Sequence, residues 1–151
     1  MSTDDDYINK ILIENDIIEK ITNVMYSANL EIVKEGLWTL SNIVASGIPS
    51  IKVFLSSSAP QRVLTLGLSP NINLQMEALW VLVNSISCGS QNEVRDLFLL
   101  EDGEIVNVLL KGLKLKDHKL VKEIVQSLYK LAKSDEQFGV LNNQESVFEK
   151  M

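Results

Sequence analysis

The stretch LEIVKEGLWTLSNIVASG, residues 30–47, has the periodicity of a long amphipathic helix. Its apolar side chains recur at steps of three and four residues, which places them on one helix face. The residues of this face are Ile32, Val33, Leu37, Leu40, Ile43 and Val44. The pattern predicts a helix rather than a strand, since a strand would alternate at every second residue.

The same stretch returns further along the chain, in NLQMEALWVLVNSISCGS, residues 73–90. Matched residues, each 42 positions apart, are Glu35 with Glu77, Leu37 with Leu79, Trp38 with Trp80, Leu40 with Leu82, Asn42 with Asn84, and Gly47 with Gly89. A weaker third copy follows at a further offset of 46, in residues 118–134, with Gln126 at the Trp position and Lys130 at the Asn position. Such self-similarity predicts a repeat architecture.

Two shorter helical segments precede each long one. The first segments are residues 7–15, 50–58 and 92–102, and the second ones begin near Asp16, Pro60 and Gly103. Turn and capping residues at these points favour helix starts. We therefore predict one all-α domain over residues 1–151, with three-helix repeats at about 7–47, 48–89 and 90–134. Residues 135–151 would form a partial repeat or cap.

The amino-acid composition limits the classes of molecule that this chain can be expected to bind. The 151 residues carry a net charge of −6, which makes nucleic-acid binding unlikely because phosphate neutralisation requires surplus Lys and Arg. Charge is unevenly distributed, since residues 1–35 are acidic and residues 111–133 hold seven lysines. The two ends should therefore prefer different neighbours.

The sequence also predicts a compartment. Cys88 is the single cysteine, the amino terminus is acidic rather than signal-like, and no apolar run approaches the length of a membrane span. We expect a soluble protein of the cytoplasm or nucleus that does not contact a membrane.

The sequence contains few residues of the kinds that catalytic sites use. One histidine and one cysteine exclude a metal site built from those residues, and the chain lacks a glycine-rich phosphate loop. We therefore expect no enzyme activity, no catalytic residues, no metal and no cofactor.

The Trp-x-x-x-Asn pairs on successive long helices resemble the armadillo repeat, an α-solenoid unit, as it occurs in the carboxy-terminal repeats of importin-alpha. The similarity covers about residues 7–134. It implies a right-handed α-solenoid of armadillo-like three-helix repeats. It also implies a role in protein binding, which in the importin-alpha family serves nuclear transport. Residues four apart share a helix face, and stacked repeats bring equivalent residues side by side.

The resemblance implies a concave groove that binds an extended, Lys/Arg-rich peptide. Indoles would form slots for basic side chains, with a cation–π attraction of about 0.5–2 kcal/mol each, and Asn amides would hold the peptide backbone. The implied peptide-binding residues are Trp38, Asn42, Trp80 and Asn84, with Glu35 and Glu77 as acidic partners for lysine heads.

Two departures from the family leave the function open. Lys130 places a positive charge where a basic peptide would continue, and no basic autoinhibitory segment precedes the first repeat. A peptide-binding module is one hypothesis. The other is an architectural scaffold, a subunit of a hetero-complex that docks through its solenoid ends, where few repeats leave apolar surface exposed.

Overall fold

A computed structural model describes residues 3–138, which are helical apart from short connections. The helices are α1 (Thr3–Glu14), α2 (Ile17–Val24), α3 (Leu30–Ala45), α4 (Ile48–Leu55), α5 (Ala59–Leu66), α6 (Ile72–Cys88), α7 (Gln91–Leu99), α8 (Glu104–Gly112) and α9 (His118–Phe138). A 3-10 turn over Leu100–Gly103 joins α7 to α8. The all-α prediction is confirmed, with no strand in residues 3–138.

The long helices α3, α6 and α9 begin at equivalent capping residues. The Asn29 side chain accepts a hydrogen bond from the Glu31 N–H, at 3.1 Å. Asn71, 42 residues later, accepts from two backbone N–H groups at the start of α6, and Asp117, a further 46 residues on, accepts from the Leu120 N–H at 3.0 Å. Each oxygen satisfies an N–H that has no partner within the helix, so the repeated caps fix where each long helix starts.

Helices of the same rank lie side by side. We call α1–α3, α4–α6 and α7–α9 the first, second and third triplets. The first helices, α1, α4 and α7, contact one another in that order, and so do the second helices α2, α5 and α8 and the long helices α3, α6 and α9. The most extensive contact is between α3 and α6. The triplets are therefore stacked in chain order.

One hydrophobic core runs through the stack, from Ile18 in the first triplet to Leu131 in the third. Its largest buried side chains include Phe54, Phe98 and Met25. The apolar stripe predicted for α3 is buried at Val33, Leu37, Leu40 and Val44. Because this stripe is buried, the opposite face of α3 is the one that meets solvent.

The last long helix continues past the predicted repeat. Helix α9 reaches Phe138, so residues 135–138 extend the third triplet. The remainder of the predicted partial repeat, residues 139–151, lies outside the described residues. Within the described part of the chain, no helix has both the length and the apolar character needed to cross a membrane.

Candidate functional site

The two tryptophans face the same depression, of about 370 Å³, which lies between α3 and α6 and reaches the start of α9. We call it the Trp groove. Its lining residues are Trp38, Ser41, Glu77, Trp80, Asn84 and Lys119. Four residues predicted from the sequence are thereby brought together, namely both tryptophans, Glu77 and Asn84.

Local helix geometry explains how the indoles reach this surface. Leu37 and Leu40 turn into the core on either side of Trp38, and Trp38 itself is 55% exposed. Trp80 occupies the matching position on α6 and is half-buried, packed partly against the core. Because α3 and α6 pack along each other, residues 42 positions apart become neighbours across the groove.

Asn84 joins the two walls of the groove. Its side-chain Nδ2 donates a hydrogen bond to the Ser41 carbonyl oxygen across the α3–α6 boundary, at 3.2 Å. This bond orients the Asn84 amide, and the side-chain carbonyl oxygen takes no part in it. That oxygen can accept from an N–H of an extended strand lying in the groove.

Glu77 supplies the acidic group of the groove. Burial of the carboxyl raises its pKa above the ordinary value, Lys34 opposes this effect by lowering the pKa, and Glu35 adds to it. Partial burial reduces solvent screening around the carboxylate. A cation bound beside Glu77 would therefore interact with it more strongly than at an open surface.

Lys119 is a member of the groove that sequence reasoning missed. Its Nζ lies 5.9 Å from the centre of the Trp80 ring, within the range of a cation–π contact. The sequence placed it only in a lysine-rich segment near the start of α9. Its position against Trp80 depends on the packing of the third triplet against the second, which the spacing of lysines does not reveal.

Asn42 and Glu35 line other depressions. Asn42 faces a second, mainly apolar depression of about 330 Å³ between α3 and α1, where Ile8 and Leu12 form the opposite wall. Trp38 belongs to both this depression and the Trp groove. Glu35 lines a third depression, between α2 and α3. The two predicted Trp-Asn-Glu sets are therefore not equivalent in space.

Lys130 does not put its charge into the groove, contrary to the expectation from its Asn-equivalent position. Its Nζ donates hydrogen bonds to the Ile86 carbonyl oxygen at 2.6 Å and the Gly89 carbonyl oxygen at 2.9 Å. These carbonyls lie at the carboxyl end of α6, where the helix dipole favours a cation. Lys130 thus serves as a clamp between α9 and α6.

No family model matches the chain, and no curated protein sequence does either. Two engineered proteins solved by the Northeast Structural Genomics Consortium have similar structures. One has a TM-score of 0.70 and 24% identity over 87% of this chain, and the other a TM-score of 0.66 and 25% identity over 82%.

The chain spans 33% of the length of the first engineered protein and 51% of the second. Both are described only as engineered proteins, so the likeness concerns the all-helical fold alone. It gives no support to the resemblance to importin-alpha, which stays a prediction.

Proposed function

We propose that this chain is a non-enzymatic interaction module that binds an extended, Lys/Arg-rich peptide in the Trp groove. In this proposal the triplets are armadillo-like repeats of a right-handed solenoid. Two features support it: helices of equal rank stack in chain order, and the long helices carry equivalent caps. Trp38, Trp80, Glu77 and Asn84 provide the contacts to the peptide.

One observation carries the proposal: a lysine of this chain, Lys119, already lies in the Trp groove. Lys119 lies over the Trp80 ring within the depression that Glu77 also lines. An indole face with a partly buried carboxylate beside it attracts a lysine stem and its ammonium group together. Trp38 and Trp80 both line this depression, whose volume of about 370 Å³ can hold a basic side chain of a peptide.

We expect a fluorescent Lys/Arg-rich peptide to bind in the micromolar range or weaker, with affinity falling as salt is added. Trp80→Ala should weaken binding by about 1–2 kcal/mol, because it removes a cation–π partner. Trp38→Ala should act in the same direction. Fluorescence anisotropy with purified variants measures both effects.

Tyr7→Ala is the matched control, since it removes an exposed aromatic residue of α1 that lies outside the groove. Its affinity for the peptide should equal that of the unmodified chain. Equal binding by the Trp38→Ala/Trp80→Ala double variant, or no saturable binding at all, would rule out the groove as a basic-peptide site.

Lys119→Gln should strengthen peptide binding by about 2- to 5-fold. The substitution removes an exposed cation–π contact, of the order of 0.5–1 kcal/mol, with which the peptide must compete. Lys114→Gln makes the same charge change at an exposed position outside the groove and should have a smaller effect. The same anisotropy titration compares the two variants. Equal gains would show that only net charge matters, and weaker binding by Lys119→Gln would show that Lys119 assists the ligand.

A second candidate function, an architectural subunit that docks through the ends of the stack, is favoured by apolar surface on the first triplet. Ile21, Val24, Ile32 and Gly36 line an open, mainly apolar depression between α2 and α3. Val24, Ile32 and the neighbouring Leu30 and Tyr26 are exposed. An Ile32→Glu variant should lose partners that the unmodified chain captures at mild salt, while Trp80→Ala should retain them.

A further inference from the structure

The open side of α2 and α3 has the surface of a stacking face. Ile32 is 44% exposed, whereas Leu74, its equivalent on α6, is only 4% exposed. Val24 on α2 is likewise exposed, whereas its equivalent Leu66 on α5 is buried. On the second triplet the first triplet packs alongside, with α3 against α6 and α2 against α5. We call the open surface formed by Val24, Ile32 and Glu35 the N face.

The outer side of α9 shows the complementary surface. Val125 is 54% exposed, whereas its equivalent Leu79 on α6 is fully buried. Tyr129 is also exposed, and its equivalent Val83 is buried. Leu79 is covered by the third triplet, whose Gly112 and Ile124 lie beside it. We call the surface formed by Lys122, Val125 and Tyr129 the C face.

Opposite charges at the two faces repeat an arrangement found inside the stack. Across the α3–α6 boundary, burial raises the pKa of Glu77, and the charge of Lys34 in the first triplet acts in the opposite direction to lower it. The residue equivalent to Lys34 on α9 is Lys122, and the residue equivalent to Glu77 on α3 is Glu35. Both are exposed. A C face placed on an N face therefore brings Lys122 to Glu35 as Lys34 is brought to Glu77.

We infer that the partner of the N face is the C face of a second copy of this chain, in a head-to-tail arrangement that continues the stacking of triplets. The inference rests on the second proposed function, in which the chain docks through the ends of the stack, and it identifies the docking partner as another copy of the chain. Apolar contact comes from Val24 and Ile32 on one copy and from Val125 and Tyr129 on the other. The Lys122–Glu35 pairing sets the direction of docking.

Head-to-tail contact has a consequence that a symmetric dimer lacks. Each copy uses one face and leaves the other open, so a third copy can add to either end. We expect the average mass of the full chain, measured by sedimentation velocity, to rise with concentration without stopping at two copies. High salt should weaken the assembly, since the charge pairing is at the surface.

Two single-face variants test the arrangement directly. Ile32→Glu should be monomeric because its N face is blocked, and Val125→Glu should be monomeric because its C face is blocked. Mixed together, they should form a dimer with one copy of each and nothing larger, through the one pair of intact faces. Leu99→Glu introduces the same charge at an exposed apolar site on α7, outside both faces, and should associate like the unmodified chain.

A charge exchange provides an independent test. Glu35→Lys and Lys122→Glu should each lower the association constant by about 2- to 5-fold, the range expected for a surface ion pair. The double variant Glu35→Lys/Lys122→Glu should recover the lost affinity, because each docked pair again holds opposite charges. Thermal melting of every variant verifies that it is folded.

Several outcomes would overturn the inference. A folded full chain that stays monomeric at several hundred micromolar has no such interface, and docking to other proteins would then remain as the separate second function. A dimer that persists in either single-face variant, or a mixture that gives no mixed dimer, shows a symmetric contact. A Val125→Glu chain that is monomeric but markedly less stable shows that Val125 packs within the chain and does not belong to a free C face.

Discussion

Leu79→Ala is expected to lower the free energy of unfolding by about 2–5 kcal/mol, toward the upper part of the range for this substitution. The side chain is fully buried where α6 meets the third triplet. Gly112 of α8 lies so close that a Cβ built on it would be 2.9 Å from the Leu79 Cδ1. With no side chain at Gly112 to move inward, the space left by the leucine collapses poorly. Denaturant unfolding measures the loss.

Gly112→Ala supplies the matched second substitution. In the unmodified chain its methyl group would crowd Leu79 and Ile124, at 2.9 and 2.8 Å. In the Leu79→Ala chain the same methyl group enters the vacated space. The double variant should therefore be more stable than Leu79→Ala alone, a coupling expected only of residues in contact. Additive losses would contradict the close approach of α8 to α6.

The long helices were predictable because their signals are local. The apolar stripe of α3 depends on a period of 3.6 residues, and each long helix begins after an Asn or Asp that accepts backbone N–H bonds. The sequence match between residues 30–47 and 73–90 also predicted that Trp38 and Trp80 would share a surface. Residues at one repeat spacing meet whenever equivalent helices stack.

Contacts between triplets were not predictable in the same way. Arg62 donates through Nε and Nη2 to the Met25 carbonyl oxygen, at 3.1 and 2.8 Å, and lies 4.3 Å from the centre of the Tyr26 ring. Lys119 and Lys130 reach the second triplet from α9 in a similar manner. A long flexible side chain has many rotamers, and its partner depends on distances between helices that periodicity does not specify.

The two glutamates show a further limit of sequence equivalence. Glu35 and Glu77 occupy matching positions, but Glu77 has α3 beside it and Glu35 has no earlier triplet among residues 3–138. Glu77 is consequently half-buried within the Trp groove, whereas Glu35 is exposed on the N face. A repeat pattern gives the same prediction for both, while their surroundings depend on position in the stack.

Lys130→Met is expected to lower the free energy of unfolding by about 1–3 kcal/mol. Methionine keeps the apolar length of the side chain but cannot donate to the Ile86 and Gly89 carbonyl oxygens. Those carbonyls end α6, where partial negative charge accumulates, so loss of the ammonium group removes both hydrogen bonds and a favourable dipole interaction. Thermal and denaturant unfolding of the purified variant measure the change.

Lys114→Met is the control, because it makes the same substitution at an exposed position and should change stability by no more than about 0.5 kcal/mol. Lys130 could either clamp α9 to α6 or repel a basic peptide in the groove, and the affinity for such a peptide distinguishes these two roles. With its charge held at the end of α6, Lys130→Met should bind the peptide as the unmodified chain does. A marked gain in affinity without a loss of stability would place the ammonium group in the groove, repelling the peptide, and would contradict the clamp.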